Sequence, residues 1–175
     1  MPIFLIGYMC SGKTTIGKLL AKKINFHFVD LDNLIEKELG LTIKDIFLNK
    51  GEDYFRQIEH EILTNYVFNY STIVATGGGT PCYYNNNNFM NHTGFTIYLK
   101  VSCEELVRRL KDNHQRPLIL ENKYNLYDFV SLQIKEREQY YCKSKLTFES
   151  DCASTDQLCT LLKKNYEQFE YRFKK

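Results

Sequence analysis

The chain has 175 residues, of which 43% are hydrophobic and 25% charged, and this length fits one domain with a continuous core. Its net charge of +2 gives no indication of a nucleic-acid or membrane partner. The six cysteines show no CxxC pair or metal-type spacing, and neither a signal peptide nor a membrane-length apolar run is predicted, so we expect a reduced, cytoplasmic protein.

Short apolar runs alternate along the chain with longer segments of helical periodicity. The predicted strands are Ile3–Ile6, Phe26–Leu31, Thr72–Thr76, Phe95–Leu99 and Leu146–Phe148. Helices are predicted after Gly12 and from about Thr42 to Asn69, where Gly51 can introduce a break. Two capping boxes, Ser102 with Glu105 and Ser154 with Gln157, predict the starts of later helices. This alternation predicts a single α/β domain built on a parallel sheet.

Two polar segments separate the predicted elements in the second half of the chain. We interpret the tract Asn85–Asn88 as a solvated loop or helix start and assign it no function. The segment from Asp112 to Asn125 has little periodicity, and loops of this length in compact domains are usually lids or binding segments. Within it, Arg116 could close over bound phosphates and neutralise charge that develops during transfer.

A phosphate-binding motif lies between the first predicted strand and the first predicted helix. The segment from Gly7 to Thr14 reads GYMCSGKT and satisfies the pattern GxxxxGK[ST]. Glycines allow successive backbone N–H groups to converge on phosphate oxygens, and the helix N-terminus adds partial positive charge. Lys13 would reach the outer phosphates and the Thr14 hydroxyl would bind Mg²⁺. The motif predicts a nucleoside triphosphate site without specifying the phosphate acceptor.

Two carboxylates follow the second predicted strand. Asp30 and Asp32 are two residues apart on an extended chain, so both could face the ligand crevice at the carboxyl edge of the sheet. One could hold a water molecule of the magnesium shell, and the other could orient or deprotonate an attacking hydroxyl. The alternative is that both acids simply complement the dipole of a following helix.

Candidate acceptor-binding residues occur in three further segments. Arg56 and Glu59 can pair on a helix, either as a surface salt bridge or as a carboxylate-binding guanidinium that Glu59 orients. The glycines Gly77–Gly79 after the third strand indicate either a close approach to the backbone or a flexible turn. Arg137, on a later predicted helix, is a second candidate for a carboxylate clamp.

Six segments in chain order, GYMCSGKTT, VDLD, FRQIE, TGGGT, QRPLI and REQYY, resemble the shikimate kinase family over residues 7–141. The resemblance implies one domain over residues 1–175 with a three-layer P-loop kinase fold. In that fold a five-stranded parallel sheet is flanked by helices, with a substrate-binding helical region at about 32–62 and a mobile lid at about 112–125. It also implies a monomeric enzyme that uses Mg²⁺ and ATP to phosphorylate the 3-hydroxyl of shikimate, on the route to chorismate and the aromatic amino acids.

The resemblance assigns a role to each matched residue. The residues implied to bind ATP are Cys10, Ser11, Gly12, Lys13, Thr14, Thr15, Arg109 and Arg116. The residues implied to bind the acceptor are Asp32, Arg56, Gly77, Gly78, Gly79 and Arg137. Thr14 and, through water, Asp30 are implied to bind Mg²⁺, while Lys13, Asp32 and Arg116 are implied to be catalytic. Three residues depart from the family pattern, since Cys10 stands where glycine or another small residue is usual, Thr14 where serine is commoner, and Pro81 where an aliphatic residue is commoner.

Two other classes of protein remain open from the residues alone. Another small-acceptor P-loop kinase, such as a gluconate or nucleoside monophosphate kinase, would share the phosphate loop, and gluconate also carries a carboxylate. A GTPase-like switch would need an NKxD motif for guanine, whereas Asn49–Glu52 ends in Glu and Asn122–Asn125 lacks the acid. The order and spacing of the six segments favour the shikimate kinase interpretation.

Overall fold

The computed structural model describes the backbone of residues 1–69, 71–112, 126–151 and 154–173, and the side chains of those up to residue 166. The strands are β1 Ile3–Ile6, β2 His27–Asp30, β3 Thr72–Ala75, β4 Phe95–Lys100 and β5 Leu146–Glu149. They pair in parallel in the order β2-β3-β1-β4-β5. The five-stranded parallel sheet is therefore confirmed, and each predicted strand lies within one residue of an observed one at both ends.

Seven α-helices and one short 3₁₀ helix surround the sheet within the described ranges. The α-helices are α1 Lys13–Ile24, α2 Leu31–Leu39, α3 Ile43–Asn65, α4 Asn86–Thr93, α5 Cys103–Lys111, α6 Leu126–Tyr141 and α7 Thr155–Phe173. The 3₁₀ helix spans Thr80–Cys82, with Pro81 in its first turn. The break predicted at Gly51 is present, because this residue has φ 83° and ψ 173° inside α3. Within these ranges, no helix is long and apolar enough to cross a bilayer.

The sheet is covered on both faces, which confirms the three-layer architecture. Alternate residues of β1 point to opposite sides, as the two-residue period of a strand requires. Ile3 and Leu5 pack against α1 and α7, whereas Phe4 and Ile6 pack against α2, α3, α4 and α6. Because the two faces bury apolar side chains equally, β1 is a central strand with no solvent-exposed face.

The two predicted capping boxes differ in the structure. At the start of α7, Ser154 Oγ accepts from Gln157 N and Ser154 N donates to Gln157 Oε1, so both halves are formed. At the start of α5, Ser102 Oγ accepts from Glu105 N at 3.3 Å, but the Glu105 carboxylate binds arginine side chains instead of Ser102 N. Glu105 therefore acts as an arginine partner near the phosphate loop as well as an N-terminal acid.

The interpretation of Asn85–Asn88 as a helix start is confirmed, because α4 begins at Asn86, but its solvated character is wrong for Asn86 and Asn87, which are buried. Residues 113–125, which contain most of the predicted lid and Arg116, lie outside the described part of the chain.

Candidate active site

The phosphate loop leaves the carboxyl end of β1 and ends at Gly12, which precedes α1. Gly7 has φ 142°, and a Cβ atom there would lie 2.7 Å from the carbonyl oxygen of Leu99, so a side chain is excluded by backbone. Cys10 has φ 60°, the left-handed conformation that favours glycine. That conformation gives a physical reason for the glycine that is usual at this position. Ser11 is fully buried within the same loop.

Lys13 folds back over the phosphate loop. Its Nζ donates to the carbonyl oxygens of Gly7 and Tyr8 at 2.8 and 2.7 Å, and the residue is 8% exposed. Thr14 and Thr15 follow it and are exposed, and the first turn of α1 contains no acidic residue. The positive end of the helix dipole is therefore not offset by a side-chain carboxylate from its own first turn.

A hydroxyl and a carboxylate meet beside the loop. Thr14 Oγ1 donates to Asp30 Oδ2 at 2.7 Å, and Asp30 Oδ1 accepts from the backbone N–H of Asp32 at 3.2 Å. Because the hydroxyl donates its hydrogen bond to Asp30, its oxygen lone pairs remain available to a cation. These hard oxygen donors fit Mg²⁺, which usually retains several waters and takes few protein ligands. In the part of the chain that the structure describes, no three His, Cys, Asp or Glu side chains gather as a metal site.

The expectation that Asp30 and Asp32 share one extended segment is wrong. The strand ends at Asp30, whose side chain caps α2, and Asp32 lies in the first turn of that helix. The two carboxylates consequently face different parts of the site. Asp30 contacts Thr14, whereas a Cβ atom on Gly77 would lie 3.2 Å from Asp32 Oδ1. The helix-capping alternative is correct for the backbone, and it directs Asp32 toward the glycine segment.

Arg56 is enclosed by two carboxylates and an aromatic ring. Its Nη1 donates to Glu59 Oε2 at 2.8 Å, and its Nε and Nη2 donate to Glu52 Oε1 at 3.1 and 3.0 Å. Its guanidinium carbon lies 4.6 Å from the centre of the Tyr83 ring. Burial opposes the charge, but Glu59 and Glu52 together raise the pKa of Arg56 above its ordinary value. The surface salt bridge is therefore ruled out, since Arg56 is 8% and Glu59 0% exposed.

The three glycines after β3 lie in close contact with neighbouring groups. A Cβ atom on Gly79 would lie 2.5 Å from Arg56 Nη2, and one on Gly77 would lie 2.7 Å from Glu59 Oε1. A Cβ atom on Gly78 would lie 3.1 Å from the backbone nitrogen of Met9 in the phosphate loop. The prediction of a close approach to the glycine backbone is confirmed. The glycine segment lies between the Arg56–Glu59 pair on one side and the phosphate loop on the other.

Arg137 reaches the same region from α6. Its guanidinium carbon lies 5.5 Å from the centre of the Tyr8 ring, and its Nη2 donates to Gln133. Burial raises the pKa of the Cys82 thiol to about 11, while the positive charges of Arg137 and Arg56 both oppose that rise. The geometry places Arg56 against Gly79 and Arg137 beside the ring of Tyr8 in the phosphate loop, and Gly78 contacts the backbone of that loop at Met9.

Arg109 contacts the phosphate loop from α5. Its Nη1 donates to the carbonyl oxygen of Cys10 at 3.2 Å and its Nε donates to Glu105 Oε1 at 2.7 Å. Hydrogen bonds from Arg108 and Arg109 lower the pKa of Glu105 to about 2. Arg116, the other arginine expected near the phosphates, lies outside the described residues.

Sequence reasoning missed two residues of this region. Glu52 lies four positions before Arg56 on the same helical segment, a spacing that identifies helical ion pairs and could have found it. Tyr141 donates its hydroxyl to the carbonyl oxygen of Gly78 at 2.6 Å, a contact between residues 63 apart in sequence that no local pattern indicates.

The sheet order, the phosphate loop between β1 and α1 and the arginine pair beside it define a P-loop kinase of small molecules. The shikimate kinase family model matches residues 9–167. The chain belongs to the shikimate kinase family.

Individual relatives agree with this assignment. The chain is 46% identical to a shikimate kinase of Flavobacterium psychrophilum over 153 residues, which are 85% of this chain and 89% of the relative. The structure of a Bacteroides thetaiotaomicron shikimate kinase matches with a TM-score of 0.84 at 36% identity, covering 95% of this chain and 98% of that one. An Acinetobacter baumannii shikimate kinase, solved in complex with shikimate, matches with a TM-score of 0.82 at 30% identity over 92% of this chain and 89% of that one.

Gluconate is the alternative acceptor, and the gluconate kinase that this chain resembles shares only its fold. A gluconokinase from Sinorhizobium meliloti matches with a TM-score of 0.52 at 12% identity, over 97% of this chain and 96% of that one. A likeness at this level of identity shows the fold alone.

Proposed function

We propose that this protein transfers the γ-phosphoryl group of ATP to the 3-hydroxyl of shikimate, giving shikimate 3-phosphate and ADP. The observation that carries the proposal is the position of the two arginines beside the phosphate loop and the glycine segment: Arg56 lies against Gly79, and the guanidinium carbon of Arg137 lies 5.5 Å from the centre of the Tyr8 ring. Two guanidinium groups in one pocket suit a carboxylate, because each can offer a planar pair of N–H donors. The family assignment and the shikimate-bound relative from Acinetobacter baumannii support the same acceptor.

The ATP phosphates would occupy the concave side of the loop from Cys10 to Thr15. The loop carbonyls of Gly7 and Tyr8 already hold the Lys13 ammonium beside the loop. When ATP binds, Lys13 Nζ would exchange these hydrogen bonds for bonds to the outer phosphates. Arg109, whose Nη1 contacts the loop carbonyl of Cys10, would add positive charge from the side of α5. Arg116, carried by the proposed lid, would neutralise charge on the group in transit.

We assign the magnesium position to Thr14 directly and to Asp30 through water. When bound there, Mg²⁺ supplies charge neutralisation to the transferred phosphoryl group. The contribution of the chain is the hydrogen bond that the Thr14 hydroxyl donates to Asp30, with 2.7 Å between Oγ1 and Oδ2, because it leaves the lone pairs of Oγ1 directed away from that carboxylate.

The acceptor ring would lie between the arginine pair and Asp32. Arg56 and Arg137 would hold the ring carboxylate, the backbone of Gly77–Gly79 would border the ring, and Asp32 would orient or deprotonate the attacking hydroxyl. Asp32 suits this role because its Oδ1 lies close to Gly77. Gly77 belongs to the glycine segment, which borders the phosphate loop through the contact of Gly78 with Met9. Holding both ends of a rigid ring fixes which hydroxyl meets the phosphate.

A coupled ADP-release assay with shikimate, gluconate and nucleoside monophosphates as separate acceptors tests the proposal. We expect turnover with shikimate alone, and loss of that turnover when EDTA removes Mg²⁺. A preference for gluconate or for a nucleoside monophosphate would overturn the assignment of the acceptor. Turnover that persists in EDTA would overturn the roles of Thr14 and Asp30.

The proposal also covers the oligomeric state, the cellular location and the partners of the protein. We propose a single-domain monomer that acts in the cytoplasm on small molecules, with no nucleic-acid or membrane partner. The net charge of +2 provides no strong field for a polyanionic surface, which supports this proposal. Light scattering coupled to gel filtration would measure the oligomeric state directly.

A further inference from the structure

Helix α4 begins with two consecutive buried asparagines. Asn86 is 0% and Asn87 3% exposed, although asparagine is mostly found at protein surfaces. Neither residue lies in the six segments that carry the family resemblance. Buried amides must find hydrogen-bond partners, and the partners of these two lie on different sides of the acceptor pocket.

Asn86 is bonded to the Arg56 side of the pocket. Its Nδ2 donates to the carbonyl oxygen of Thr80 at 3.0 Å, and its Oδ1 lies 2.6 Å from His60 Nδ1 on α3. The Thr80 hydroxyl in turn donates to Glu59 Oε1 at 2.5 Å, while Glu59 Oε2 accepts from Arg56 at 2.8 Å. Asn86 thus fixes the turn that contains Thr80. The Thr80 hydroxyl binds one oxygen of the Glu59 carboxylate, and the other oxygen orients Arg56.

Asn87 is bonded to the Arg137 side of the pocket. Its Nδ2 donates to the carbonyl oxygen of Tyr140 at 2.6 Å, and its Oδ1 accepts from Asn91 Nδ2 at 3.1 Å. Asn91 Nδ2 also donates to the carbonyl oxygen of Lys143 at 3.0 Å. These contacts hold the carboxyl-terminal end of α6, less than one helical turn beyond Arg137.

We infer that Asn86 and Asn87 are positioning residues for the acceptor's carboxylate clamp and that they set the separation between its two arginines. Consecutive residues of one helix lie at a fixed distance from each other. Asn86 and Asn87 therefore hold the Thr80 turn next to Arg56 at a fixed distance from the end of α6, the helix that carries Arg137. A two-arginine grip on a planar carboxylate loses strength when its donors move by about 0.5 Å or more. The inference rests on the proposed function, because it assumes that both arginines bind the acceptor.

The competing explanation is that the two amides only stabilise the fold. Loss of a purely structural amide would lower the melting temperature and leave both Michaelis constants unchanged. Loss of a positioning amide would raise the KM for shikimate and leave the KM for ATP unchanged, because neither residue contacts the phosphate loop through the hydrogen bonds described above. The two explanations therefore predict different kinetics.

The test compares Asn86→Asp and Asn87→Asp with the control Asn88→Asp. An aspartate keeps the size of the side chain but cannot donate to the Thr80 or Tyr140 carbonyl oxygen. Asn88 is exposed and donates only locally, to Asn85 Oδ1 at 2.6 Å, and all three changes put a carboxylate in the same first turn of α4. We expect the KM for shikimate to rise about tenfold in the first two variants, with the KM for ATP within about twofold, and neither to change in the control.

A double mutant separates positioning from a general loss of activity. If Asn87 acts through Arg137, Asn87→Asp should change the KM for shikimate far less in an Arg137→Ala background than in the wild type. Equal effects in both backgrounds, or equal rises in the two Michaelis constants, would overturn the inference. Should an aspartate variant not fold, Asn86→Ser and Asn87→Ser, which leave room for a water molecule, take its place in the same comparison. A wild-type protein inactive on shikimate would instead overturn the proposed function.

Discussion

The Tyr141 hydroxyl donates a hydrogen bond of 2.6 Å to the carbonyl oxygen of Gly78. Tyr141 ends the helix that carries Arg137, and Gly78 packs against the backbone of Met9 in the phosphate loop. This one bond therefore connects the acceptor pocket with the loop that would hold ATP. The buried tyrosine ring also lies 5.0 Å, centre to centre, from the ring of Tyr98 on β4, which anchors the contact in the sheet.

Replacement of Tyr141 by phenylalanine tests the importance of that bond. The change removes the hydroxyl and leaves the Gly78 carbonyl without this donor, so we expect a loss of about 1 kcal/mol in the free energy of unfolding and a several-fold rise in the KM for shikimate. Tyr127→Phe is the matched control, because Tyr127 lies on the same helix and loses only an exposed hydrogen bond to Glu104. Identical kinetics for the two variants would show that the Gly78 contact has no part in acceptor binding.

Replacement of Arg137 by alanine tests the arginine pair. Loss of half of a carboxylate clamp should cost about 3 kcal/mol of acceptor recognition, which corresponds to a fall of roughly a hundredfold in kcat/KM for shikimate. ATP affinity, measured by calorimetry, should remain nearly unchanged. Lys135→Ala removes an exposed positive charge from the same helix and should leave both quantities unaltered. Equal loss of affinity for both substrates would mean that Arg137 does not belong to the acceptor pocket.

Arg108 and Arg109 provide a matched pair for the phosphate side. Both donate to Glu105, but only Arg109 also reaches the phosphate loop, through the Cys10 carbonyl oxygen at 3.2 Å. We expect Arg109→Ala to raise the KM for ATP several-fold and Arg108→Ala to leave it unchanged, because surface ion pairs alone contribute little. Steady-state kinetics at fixed shikimate would distinguish them, and indistinguishable values would contradict the assignment of Arg109.

The two thiols Cys82 and Cys142 should differ in their reaction with iodoacetamide. Burial raises the pKa of Cys82 to about 11, so its reactive thiolate is scarce at pH 8 and increases about tenfold per pH unit up to that value. Cys142 is exposed and should be alkylated first. Peptide mass spectrometry after a timed reaction at pH 8 would measure both sites. Faster modification of Cys82 would show that partial burial does not hold its thiol in the protonated form.

The parts of the fold with local signals could be predicted from the sequence. Apolar runs located all five strands, and the phosphate loop was recognisable because its glycines, Lys13 and Thr14 occur at fixed spacing. The direction of Asp32 could not be predicted, since it depends on whether Asp30 continues the strand or caps the next helix. In the structure Asp30 caps the helix, since its Oδ1 accepts from the backbone N–H of Asp32, while its Oδ2 accepts from Thr14, sixteen residues earlier in the chain.

The support of the acceptor pocket was beyond sequence reasoning because its hydrogen bonds join residues far apart in the chain. Asn86 and Asn87 have the composition of a surface tract, and their burial follows from partners on the 3₁₀ turn and on α6. The carbonyl oxygen that Asn87 binds belongs to Tyr140, 53 positions further along the chain. Periodicity and propensity describe neighbours along the chain, so contacts of this range appear only once the sheet order is known.

The most direct measurement of the central claim is a crystal structure of the protein with shikimate and ADP bound. The account predicts that the shikimate carboxylate lies within hydrogen-bond distance of guanidinium nitrogens of both Arg56 and Arg137, with its 3-hydroxyl next to Asp32 and facing the phosphate loop. A carboxylate bound away from both arginines, or a ring whose 3-hydroxyl points away from Lys13, would contradict it.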